Sequence, residues 1–217
     1  MSLHGIVKEG NAMGRLVGLF VFVSTMVLSL SVSAQETVKE AETGVEFKVI
    51  DAKGRTLLGT GVREKFGFDI YAVAVYANPD EVKQQMAGSN KPVHALIFGS
   101  MSRQIVIHFV RNAPGSRIKQ NFAETLKIRM TKRQYEVTCK EDYERLLKAV
   151  GSGVSKGDRI SMDFDGKTFR VFSTDGTKMF ETANTDFIRA TFKSFLDAKT
   201  NMPTLPAGVR TFFANKS

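Results

Sequence analysis

Arg63 and Tyr71, eight residues apart, are the pair in this chain best suited to hold a small charged group. A guanidinium donates paired, charge-assisted hydrogen bonds to a carboxylate or oxyanion, and a phenol adds a neutral donor. Both lie in GVREKFGFDIYAVAVY, residues 61–76, where a polar opening gives way to a run almost free of charge. In one unbroken strand they would stand about 26 Å apart, at roughly 3.3 Å per residue, too far to share a ligand. A chain reversal around Lys65-Phe66-Gly67, which Gly67 makes reasonable, turns them into cross-strand neighbours that converge on one group. Taken singly, Arg63 reads as a surface cation at a strand end and Tyr71 as part of an apolar sheet face.

Other chemistries find little in the chain. It has no GxSxG, HExxH or CxxC, and Gly59-Thr60-Gly61 lacks the further glycine and the lysine of a phosphate loop. His94 and His108, the histidines beyond residue 34, alternate with apolar residues on expected strands. No other ligand type clusters with them, so neither a metal nor another cofactor is expected. Asp163 and Asp165 flank a turn and read as solvated carboxylates. Cys139 is the sole cysteine, which excludes an internal disulfide; it reads as a partly buried small residue after a helix rather than a nucleophile.

The elements that must position Arg63 and Tyr71 begin after residue 34. Leu16 to Leu30 is an apolar run preceded by Arg15 and followed by Val32-Ser33-Ala34, the pattern of a signal peptide cleaved after Ala34, with Met13 an alternative start. Export to a bacterial periplasm is therefore the expected compartment. The formal charge of +9 in 217 residues is scattered, and its densest patch, Arg117 to Arg133, alternates with apolar residues as a solvated helix face does. No nucleic-acid partner is expected; weak contact with an anionic membrane surface is compatible with the charge, and nothing specifies an oligomeric state.

Residues 35–44 read as a flexible arm and 45–217 as one domain. Strands are expected at 45–50, 56–63, 70–76, 93–98 and 104–110. Of these, 70–76 is apolar on both faces and so covered on both sides. A short helix is expected at 81–87. Amphipathic helices follow, one with Ile118, Phe122, Leu126 and Met130 inward and one at 141–150. Three short strands punctuated by Asp165-Gly166 and Asp175-Gly176 read as a meander, and 184–196 is a last helix with Thr185 as its cap. The tail after Pro203 has little pattern. Strands, helices, strands and a helix in that order give an α+β class with a mostly antiparallel sheet and helices on one face.

GTGVREKFGFDIYAVAVY resembles the signature of the chalcone isomerase family, in particular its bacterial chalcone isomerase-like proteins. HFVRNAPGSRIKQNFAETL, SKGDRISMDFDGKTFRVFSTDG and NTDFIRATFKSFL are similar to later family segments in order and character, so the likeness spans Val45 to Leu205. It implies an open-faced β-sandwich: a large antiparallel sheet, helices packed on one side and a smaller sheet on the other. It also implies two alternative roles. Enzymes of the family close a chalcone to a flavanone with an arginine, here Arg63, stabilising charge on the carbonyl. Other members bind fatty acids through that arginine and a tyrosine, here Tyr71, where the enzymes usually carry threonine. Ile118 falls where the enzymes hold a water-binding tyrosine, Thr125 where they hold asparagine, and Ser194 where they hold Thr or Ser. Family members often show Trp-Leu-Gly after the last helix; Phe195-Leu196-Asp197 stands here. The expectation is a non-catalytic binder of a fatty acid or similar apolar carboxylate, with Arg63, Tyr71, Ser194 and Thr125 at the ligand. The alternatives are a lyase or isomerase of a phenolic or enone substrate using Arg63, and a structural protein whose pocket is filled by its own side chains.

Overall fold

The computed structural model describes residues 35–65, 67–86 and 88–215. The expected signal peptide lies outside them. The largest element is a six-stranded antiparallel sheet in sequential order: β3 (Thr56–Lys65), β4 (Phe68–Ala77), β5 (Arg103–Phe109), β6 (Arg159–Phe164), β7 (Phe169–Phe172) and β8 (Lys178–Thr182). A two-stranded sheet, β1 (Thr37–Lys39) with β2 (Glu46–Lys48), precedes it. Residues 35–44, read as a loose arm, are ordered here by this pairing. The Glu40 carboxylate, buried in the connecting turn, accepts from the Thr43 N–H at 2.8 Å and the Thr43 hydroxyl at 2.7 Å.

The alternation of β4 dictates the layers. Val73 and Val75 enter the main core with Ile105, Ile107, Phe109, Met162, Phe164, Phe169 and the helices. Ala72, Ala74 and Tyr76 face the other way and pack with Val45, Phe47 and Leu57. The strand is thus covered on both faces, as its double apolar pattern requires. The helical layer holds α1 (Pro79–Met86), α2 (Pro92–Phe98), α3 (Gly115–Lys127), α4 (Lys140–Ala149), α5 (Thr185–Leu196) and α6 (Thr204–Ala214), with a π-helical turn, Gln134–Cys139, leading into α4. Cys139 closes that turn fully buried, not partly so.

Three elements differ from the sequence reading. The apolar run at 93–98 is helix α2 and not a strand. A run this short has no decisive period, and Pro92 in the first turn favours a helix. The cap of α5 is Asn184 and not Thr185: its side chain accepts from the Phe187 N–H at 3.2 Å. The patternless tail is α6, whose Leu205, Val209 and Phe213 are buried. It lies directly on β3: a Cβ at Gly61 would come within 2.9 Å of Leu205 and Thr204, and one at Gly59 within 3.0 Å of the α6 backbone. The glycines of the GTG segment therefore admit a helix rather than a phosphate.

Asp163, read as solvated, is 2% exposed. It sits on the β6 face opposite the helices and pairs with Arg55 at 2.7 Å and with Lys53. Arg55, itself buried, is held at 2.7 Å by Asp51 as well. The turn before β3 is thereby fastened across the sheet.

Candidate ligand site between the sheet and helices α3 and α5

The reversal that the pair needed is present. β3 and β4 form a hairpin with Gly67 at φ 76°, and Arg63 stands opposite Tyr71 in register. Side chains opposite each other share a face, so both project toward the helical layer, the side of Val73. There Tyr71 forms the wall of a slot with Phe109 of β5, Ile118, Asn121, Phe122 and Thr125 of α3, Ser194 and Phe195 of α5, and Met202 of the segment before α6. The α3 contribution follows from helix geometry, since 118, 121, 122 and 125 are spaced by three and four and form one stripe.

The slot is mostly apolar and nearly full. Its enclosed space is about 10 Å³, room for a single water. The Tyr71 ring meets Phe109 edge-on, with centroids 5.5 Å apart. Ser194 donates to the Thr191 carbonyl at 2.7 Å, and Thr125 to the Asn121 carbonyl at 2.7 Å. Both hydroxyl protons are thus engaged by their own helices, and toward the slot these residues offer lone pairs and methylene surface.

Arg63 stands beside Tyr71 rather than in the wall of the void. With its carboxamide oxygen turned toward the guanidinium, Asn201 accepts from Arg63 at 2.8 and 3.3 Å. The segment carrying Asn201 is tied down on either side: Thr200 donates to the Ser194 carbonyl at 3.1 Å, and Met202 is buried. An amide oxygen thus occupies the guanidinium as one oxygen of a carboxylate would. Asn201, Asn121, Phe109 and Met202 were not foreseen at the site. Asn121 had a signal, the α3 stripe; Asn201 lies in KTNMP, which has no period and whose place depends on tertiary packing.

Burial raises the Tyr71 phenol to about 12, and the nearby Arg63 charge pulls it partly back. Tyr71 is therefore a protonated donor throughout the physiological range. Its folded value exceeds the roughly 10 of an exposed phenol, so ionisation favours the unfolded chain. The contribution is complete below about pH 10 and is lost as pH rises toward 12. Phenolate absorbance in an alkaline titration is expected to lose one late transition, near pH 12, in Tyr71→Phe. In Arg63→Ala that transition is expected to move higher. Loss of a transition near pH 10 instead would contradict the burial of this phenol.

A family model described as chalcone isomerase-like matches residues 35–205. The chain belongs to the chalcone isomerase-like family. Among solved structures it is similar to an Arabidopsis thaliana fatty-acid binding protein, with a TM-score of 0.70 and 18% identity over 81% of this chain and 96% of that one. That likeness is one of fold, the open-faced arrangement of a large sheet, a smaller sheet and a helical layer. No curated protein matches the chain.

Proposed function

We propose that this protein is a non-catalytic carrier of a fatty acid or a similar apolar carboxylate, with Arg63 and Tyr71 holding the head and the slot between the sheet, α3 and α5 receiving the tail. The observation that carries this is the register pairing of Arg63 with Tyr71, whose ring lines an apolar slot. The fold shared with a fatty-acid binding protein supports it. A lipid tail needs a few hundred Å³, so binding requires the slot to open. Asn201 and Met202 both lie on the segment 197–203, so an opening there has to release its ties to the Ser194 carbonyl and to Arg129. The leader pattern of residues 1–34 supports a periplasmic location.

Catalysis is the weaker reading. A cyclisation requires several groups aimed at the reacting atoms. At the slot Ile118 has no polar group, and Thr125 and Ser194 have their protons engaged. A second reading, a structural protein with a self-filled pocket, is favoured by the small void and its Phe109, Phe122, Phe195 and Met202 walls.

Native mass spectrometry of the protein from its own host separates them. A co-purifying carboxylic acid, or one-to-one uptake of added palmitate, is the expected result. A protein that stays empty under both conditions would leave the self-filled reading standing. Asn201→Ala is expected to bind palmitate about five-fold more tightly, because it removes a competitor worth about 1 kcal/mol at the guanidinium. Unchanged or weaker affinity in that variant would show that Asn201 does not compete with the ligand.

A further inference from the structure

A second basic site lies at the other end of β5. Arg103 opens the strand and Phe109 closes it, on the same face, so about 20 Å separate them at roughly 3.3 Å per residue. Arg103 is 1% exposed and has no carboxylate partner among the described residues. Its guanidinium lies 4.5 Å from the ring centre of Phe164 and 4.2 Å from that of Phe192. It donates to the carbonyls of Gly99 at 2.8 Å, Met101 at 3.1 Å and Ile97 at 3.4 Å, closing the C-terminal end of α2. Its Nε has no partner.

Those contacts explain how Arg103 is held, but they do not neutralise it. A buried charge is ordinarily paired with an opposite one, because bare burial costs several kcal/mol. Arg103 borders a cavity of about 240 Å³ whose other charged walls are Lys167 and Arg189; Ser100 and Thr185 add hydroxyls, and no aspartate or glutamate lines it. Neither Lys167 nor Arg189 has an ion-pair partner among the described residues, and the Arg189 side chain rests over the Phe98 ring at 5.8 Å. Three like charges therefore converge on one concavity. Burial, and then repulsion from Arg189, push the Arg103 guanidinium down to about 9.

We infer that this cavity is a small-oxyanion site, taking a phosphate or carboxylate group between Arg103, Lys167 and Arg189. The anion supplies the counter-charge that the chain withholds, and the Phe164 and Phe192 rings keep the Arg103 plane fixed. The site is independent of the Arg63 slot and of the proposed function.

Two probes at low ionic strength test it, inorganic phosphate and dihexanoyl phosphatidic acid, titrated calorimetrically into the wild type and the exposed-residue double variant Lys167→Ala/Arg189→Ala. Phosphate binding that falls at least about ten-fold in the double variant supports a free-anion site, through loss of two charge-assisted contacts. Binding of the phosphatidic acid alone, with the same loss, supports a lipid headgroup as the source. Wild type that binds neither probe and shows no phosphate-dependent rise in Tm overturns the inference. So does a double variant that binds as the wild type does.

Discussion

Arg63→Ala is expected to weaken fatty-acid binding by roughly 10- to 100-fold, the loss corresponding to a charge-assisted anchor of about 1.5–3 kcal/mol. Three features set the size of the effect. The guanidinium is preorganised by the β3–β4 hairpin, because its register partner Tyr71 is fixed by the sheet. Tyr71 remains as a donor in the variant, so binding is weakened rather than abolished. In the free protein, removal of Arg63 also frees Asn201, which lowers the cost of opening the segment and offsets part of the loss. Arg63→Lys keeps the charge but not the planar fork, and is expected to fall between the two. Titration of delipidated protein with palmitate measures all three. Affinities within a factor of two in wild type and Arg63→Ala would remove Arg63 from the head-group site while leaving the apolar slot available. Tight binding of the methyl ester by wild type would argue against a carboxylate anchor altogether.

Asp163→Ala is expected to cost roughly 3 kcal/mol of stability, the lower end of the range for breaking a buried ion pair. Asp163 and Arg55 are 2% and 4% exposed, so solvent screens their attraction little. The cost stays at the lower end because Asp51 continues to hold Arg55 when Asp163 is lost. Lys53, more than half exposed, adds little of its own. In thermal unfolding, 3 kcal/mol corresponds to a Tm drop of about 6–12 °C for a domain of this size. The triple variant Asp51→Asn/Arg55→Met/Asp163→Leu is expected to recover most of it, because it removes all three buried charges together, whereas Arg55→Met/Asp163→Leu alone would strand the Asp51 carboxylate. A single variant melting within 2 °C of wild type would show that the cluster does not fasten the turn across the sheet.

Legibility in the sequence followed the range of the interactions involved. The β3–β4 hairpin was readable because its determinants are local: a glycine at positive φ between two strands, the second of them apolar on both faces. With that turn, the pairing of Arg63 and Tyr71 followed from register. The stripe of α3 and the wide apolar face of α5 are periodic, and the meander is punctuated by Asp-Gly turns. Helix α2 misled because PVHALIF is apolar at nearly every position and is buried on more than one side. Helix α6 was hidden by the residues that seat it. Gly208 looks like a helix breaker, yet it lies where a Cβ would come within 3.3 Å of the Gly59 Cα. Asp163 beside Asp165-Gly166 looked solvated because its partners, Lys53 and Arg55, lie more than a hundred residues earlier. The contact between Asn201 and Arg63 is of the same kind, a meeting of two loops and strands that no local pattern records.

If the protein carries a carboxylate as proposed, the hold of Asn201 on Arg63 bears on how that ligand leaves. A guanidinium that always has a partner never passes through a bare state on release, since one oxygen replaces another. Departure is then a displacement rather than a desertion, and its barrier is lower than for an anchor left empty. The same exchange reduces the equilibrium grip by the fraction of time the internal oxygen wins. A carrier built in this way would suit handover between two locations, where quick unloading matters as much as capture, better than long-term storage.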